Sequence, residues 1–199
     1  MSKIQEFWKW FTDNQKRLVD LEEPGTEEVL DELEETLHLY CPDLFFEVYE
    51  GLDEVVYELV ITAEGDKKLF PKVQQLIDMA PRVKGWAFTA LMPAQGFDIT
   101  IEYEGITLDP KDIVFLPLEN EKHPNQLGLR LFVEEYNEKQ REDFIIAAFD
   151  LLSSALGEKS AALDIFYVDV TNYDDEADED YVIPLVDLKN YLEIWKTEG

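Results

Sequence analysis

A chain of 199 residues with 17 Lys and Arg against 45 Asp and Glu has a formal charge of −28, yet 46% of its residues are hydrophobic and 13% aromatic. That apolar mass suffices for a packed core and excludes a wholly disordered chain, while the charge opposes any grip on phosphate backbones or anionic membranes. One cysteine and two histidines exclude an internal disulfide and a four-ligand Cys/His zinc site.

Ser2 and Gln5 stand in capping-box spacing ahead of Ile4, Phe7, Trp8, Phe11 and Leu18, which predicts a first helix ending near Pro24 and Gly25. Thr26 is placed to cap a second, with Val29, Leu30, Leu33 and Leu37 inward and acids elsewhere. Residues 44–49 and 57–62 are aromatic and β-branched, so they read as strands joined by a hairpin around Gly51, Leu52 and Asp53. Asp66 is the expected N-cap of a helix with Pro71 in its first turn, a stripe of Leu69, Val73, Leu76, Ile77 and Ala80, and Pro81 as its stop.

Residues 86–91 return as a strand, and 98–103 alternate at period two, as expected of a strand with one solvated face. Residues 112–116 and 127–136 predict two more. Asn137 and Gln140 open a helix carrying Phe144, Ile145, Ala148, Phe149, Leu152, Ala155 and Leu156 inward, closed by Gly157. A strand over 163–170 precedes six acids within 174–180, and Pro184 introduces a last helix with Leu185, Leu188, Tyr191, Leu192 and Trp195 inward. The expected fold is α+β: a largely antiparallel mixed sheet that includes residues 58–62, 86–91, 99–103 and 129–134, with two N-terminal helices and one C-terminal helix. It reads as a single domain over 1–199. Residues 44–91 and 112–170 share the order strand, strand, helix, strand, which suggests pseudo-repeats of ββαβ.

Between Leu59 and Phe88, the run Leu59 to Gly65, then Leu69-Phe70-Pro71, Ala80-Pro81 and Gly85-Trp86-Ala87-Phe88 resembles a bacterial family of domains of unknown function with a strand, a helix and an "AP…GW" return strand. The likeness spans residues 58–116. It implies a bacterial, cytoplasmic protein and assigns no catalytic residue.

His38 and Cys41, three apart at a helix end, have the spacing of a dyad, but Glu34, Glu35, Asp43 and the helix C-terminus all oppose a thiolate there. Cys41 reads as a core residue, His38 as a helix-end imidazole and His123 as part of a solvated loop. The acids of 174–180 fail the EF-hand pattern, with Ala177 at the glycine position and Ile183 at the glutamate position. They are expected to form an exposed loop without a tightly held ion. Asp98, Glu102 and Glu104 share one strand face, and neither a P-loop nor GxGxxG, GxSxG or HExxH occurs. No catalytic, cofactor or metal-binding residue is therefore assigned.

Candidate partner contacts are Trp10, the one ring of the Phe7 to Phe11 cluster off the inward stripe, and Lys67, Lys68 and Lys72, in a locally basic stretch of this acidic chain. The favoured reading is a noncatalytic, immunity-like interaction module that docks a basic protein and binds neither nucleic acid nor membrane. The alternatives are a small enzyme using carboxylates such as Glu102 and Glu104, or a nucleic-acid mimic.

Overall fold

The computed structural model describes residues 1–19, 26–50, 57–173 and 181–198. Its backbone gathers into two compact units, Met1–Met92 and Pro93–Gly199, and each closes a hydrophobic core of its own. The fold is α+β in both.

In the first unit, α1 (Lys3–Asn14) starts at a full capping box: Gln5 N–H donates to Ser2 Oγ at 3.3 Å, and Ser2 N–H to Gln5 Oε1 at 2.9 Å. A 3₁₀ turn (Gln15–Leu18) follows, then α2 (Thr26–Tyr40), β1 (Phe45–Glu50), β2 (Tyr57–Thr62), α3 (Phe70–Asp78) and β3 (Trp86–Ala90). The sheet order is β1-β2-β3, with β1 antiparallel and β3 parallel to β2. Register puts Phe46, Val48, Leu59, Ile61 and Phe88 on one face, and that face joins Phe7, Trp8, Phe11, Leu33, Leu37 and Leu76 in the core. The buried Trp8 indole donates to the Leu76 carbonyl at 2.8 Å, which fixes α1 to the end of α3.

The second unit comprises β4 (Ile101–Tyr103), β5 (Ile106–Leu108), β6 (Val114–Leu118), β7 (Leu127–Phe132), α4 (Arg141–Leu156), α5 (Glu158–Asp164), β8 (Ile165–Thr171), β9 (Ile183–Pro184) and α6 (Leu188–Glu198). β4 and β5 form a two-stranded ribbon, and the larger sheet runs β8-β7-β6-β9. β6 and β7 are antiparallel, β7 and β8 parallel. This repeats the β1-β2-α3-β3 connectivity of the first unit. Phe115, Leu129, Leu131, Val168 and Val170 pack with Phe144, Ala148, Leu151, Leu152, Leu188 and Leu192.

Several expectations are corrected. The described strands form three sheets, not one; their pairing is mixed and largely antiparallel, as expected, with β2–β3 and β7–β8 parallel because a strand that returns through a helix crossover lies parallel to the one it left. Only Ile101–Tyr103 of the 98–103 run is strand; Glu104 (φ 45°) and Gly105 (φ 81°) make the paired left-handed turn that leads into β5, whose three residues are too short to show a period. Asp112 closes a 3₁₀ turn capped by Asp109, and residues 163–164 belong to α5. Asp66 caps the turn before α3, accepting from Lys68 N–H at 2.9 Å, while the helix starts at Phe70. Residues 133–136 turn away after β7, with Tyr136 N–H bonded to the Val133 carbonyl. Phe149 is 43% exposed, because α4 is apolar over so much of its surface that Ala147 and Leu151 take the inward positions. The hairpin around 51–53 and the acidic run 174–180 lie outside the described residues.

Tyr136 packs on Phe144 (5.2 Å between ring centres) and donates to Glu138 Oε2 at 2.6 Å. Burial first, then that carboxylate, pushes its phenol up to about 12 from 10.0. A neutral phenol held by the fold stabilises fully below the unfolded value and loses that contribution as pH rises toward the folded one. Urea denaturation of the wild type is therefore expected to show stability falling between pH 10 and about 12, and Tyr136→Phe to flatten part of that decline. An unaltered alkaline limb in the variant would refute the assignment.

Candidate functional site

The loop between β6 and β7 is set by its turn formers. Asn120 Oδ1 accepts from Lys122 N–H at 2.9 Å, and backbone bonds run from His123 to Asn120 (2.9 Å) and from Gln126 to His123 (3.0 Å). This folded loop faces the last turns of α6 across a cavity of about 460 Å³ lined by Glu119, Glu121, His123, Gln126, Trp195 and Lys196, with Asn120, Pro124 and Asn125. Its walls are tied to the rest of the unit. Trp195 Nε1–H donates to Glu119 Oε1 at 3.2 Å, which links helix to loop. The Gln126 amide reaches the carbonyls of Ala162 (3.3 Å) and Ile165 (3.5 Å). The His123 imidazole lies flat on Phe166, with ring centres 4.7 Å apart and planes within 9°.

The charges of the cavity are unequal in their engagement. Lys196 Nζ is 2.7 Å from Asp164 Oδ2, a buried carboxylate that also accepts from Ser160 Oγ at 2.5 Å. Glu119 and Glu121 are exposed and form no ion pair among the described residues. The cavity thus presents two carboxylates and an indole, with its lysine already neutralised. Loop composition gave His123 as a polar-loop residue. Its stacking partner is 43 positions away, and neither that partner nor the cavity was visible in the spacing.

The other residues singled out in the sequence are dispersed. Trp10 is partly buried against the core of the first unit, and its indole bonds to Glu32, whose carboxyl is held below its ordinary range first by Arg17 and also by that bond. Lys67 and Lys68 are exposed in the turn before α3, and neither forms an ion pair among the described residues. Lys72 Nζ lies 3.5 Å from the Sγ of the buried Cys41, while His38 Nε2 faces the Leu44 carbonyl at 3.2 Å and Glu34 at 4.0 Å. His38 and Cys41 are therefore directed to different partners. Asp98 is paired with Lys111 at 2.9 Å, and Glu102 and Glu104 are exposed on the β4–β5 ribbon. Among the described residues no group of three or more His, Cys, Asp or Glu is placed to hold a metal ion, and no helix is long and apolar enough to cross a membrane. Comparison with family models, with curated proteins and with solved structures gives no match to this chain.

Proposed function

We propose that the protein is a noncatalytic, immunity-like interaction module of a bacterial cytoplasm that docks a basic protein. The observation that carries this reading is the charge: −28 overall, with acids outnumbering Lys and Arg within each compact unit. Fields of that size act over a Debye length of about 8 Å in physiological salt and mainly accelerate encounter with a cationic surface. The cavity beside α6, lined by Glu119 and Glu121, supports the reading.

Affinity capture from the source cell at low and at moderate salt tests the reading. A basic protein should be recovered, should form a stoichiometric complex when both partners are purified, and should associate about tenfold or more slowly at the higher salt. Failure to recover any basic protein at either salt, or a turnover abolished by changing one carboxylate, would overturn the proposal.

A further inference from the structure

We propose that the cavity between the β6–β7 loop and α6 seats an arginine side chain of the basic partner, with the guanidinium against Trp195 and paired to Glu119 and Glu121. This inference rests on the interaction-module reading and names the contact that the module would make.

Four features point to that occupant. The volume, about 460 Å³, is ample for one long side chain and falls within the range of roughly 300–1,000 Å³ typical of small-molecule clefts. The indole of Trp195 lines the cavity, and tryptophan is the side chain whose face most favours a cation. Trp195 is also anchored through its N–H to Glu119 Oε1, so ring and carboxylate are held together as one unit. That bond uses one acceptor position of Glu119, and a carboxylate offers about four, enough for a guanidinium to bond as well. The cation within the lining does not compete, because Lys196 is held by Asp164 at 2.7 Å.

Arginine is favoured over lysine by shape. A guanidinium is flat enough to stack on an indole while its fork of donors meets carboxylates edge-on, and it gives up its hydration more readily than an ammonium. His123, stacked flat on Phe166, completes the lining on the loop side. An anionic occupant would meet Glu119 and Glu121 with no uncommitted lysine in the lining to offset them.

The 199-residue chain, labelled with ¹⁵N, would be titrated with N-acetyl-arginine methylamide while the indole N–H resonances of its four tryptophans are followed. Trp195→Phe assigns the relevant peak. The expected result is saturable movement of the Trp195 resonance, a weaker response to the lysine analogue and none to the glutamine analogue. Glu119→Gln combined with Glu121→Gln preserves an acceptor for the indole and should weaken arginine binding by about fivefold or more, as expected for two partly solvated ion pairs. An unmoved Trp195 peak, an equal response to the glutamine analogue, or full affinity in the double variant would overturn the proposal. A captured basic partner that binds the double variant as tightly as the wild type would also overturn it, while leaving the interaction-module reading in place. Saturable, carboxylate-dependent arginine binding in a protein that captures no basic partner would support the cavity assignment and count against the module reading alone.

Discussion

Phe11→Ala is expected to lower the stability of the first unit by about 3–5 kcal/mol, the usual cost of deleting a buried ring. Phe11 has no exposed surface and meets three other rings edge-on: Trp86 at 4.9 Å, Phe88 at 5.2 Å and Trp8 at 5.8 Å. Edge-to-face contacts of this kind stabilise by about 0.5–1.5 kcal/mol each beyond the area they bury. The site is also poorly able to collapse. Trp8 is pinned by its bond to the Leu76 carbonyl and Trp86 by its bond to Gln15 Oε1 at 3.1 Å, so neither indole is free to close the void. With 12 residues, α1 is at the margin of stability alone and depends on this packing. Urea denaturation, together with hydrogen exchange of the β1–β3 amides, measures the loss. Phe11→Leu should recover most of it, and a deficit below about 1 kcal/mol for the alanine variant would show that the ring cluster is loosely packed.

The same cluster shows what the sequence made legible. Phe7, Trp8 and Phe11 recur at helical spacing, and a stripe of that width has to be buried, so their inward placement followed from period alone. The order strand, strand, helix, strand was equally readable in both halves, because alternation and helical period switch at turn formers such as Pro71, Pro81 and Gly157. Three kinds of feature were not readable. Short elements carry too few residues to show a period: β5 has three, and α5 has seven and begins directly after Gly157, the glycine that closes α4. Helices that are apolar on most sides, such as α4, do not declare which positions face in, which is how Phe149 was misplaced. How the strands divide among sheets is settled only by long-range pairing, such as that of β9 with β6, which no local pattern carries. The cavity belongs to a fourth kind: Trp195 and Glu119 are 76 residues apart, and the indole that the helical stripe correctly turned inward also meets a loop carboxylate that no local pattern could supply.

Gly128→Ala is expected to destabilise the second unit by about 1–3 kcal/mol, the range for overpacking a close-fitted interior. Gly128 lies in the central β7 strand, opposite Leu118 of β6 and Tyr167 of β8, at the point where the β7–β8 register shifts. A β-carbon there would meet Leu118 Cβ at 3.1 Å, the Leu118 carbonyl oxygen at 3.2 Å and Phe166 Cε1 at 3.2 Å. Each contact is a few tenths of an ångström too close, and two of the three atoms are fixed by the backbone of a hydrogen-bonded neighbour strand. The third belongs to the ring on which His123 stacks. Relief must therefore come largely from Phe166, and moving that ring moves the imidazole at the wall of the cavity. The opposing effect, that alanine narrows the unfolded ensemble relative to glycine, is worth about 0.4–1 kcal/mol and does not offset the strain. Adding Phe166→Leu, which withdraws the ring atom at 3.2 Å, should make the double variant less destabilised than the sum of the two single changes. The measurements are urea denaturation of the three variants and the His123 side-chain resonances, which are expected to shift in Gly128→Ala. Wild-type stability in Gly128→Ala, with His123 unmoved, would show that β6 and β7 part readily at this point and that the site does not depend on the absence of a side chain at position 128.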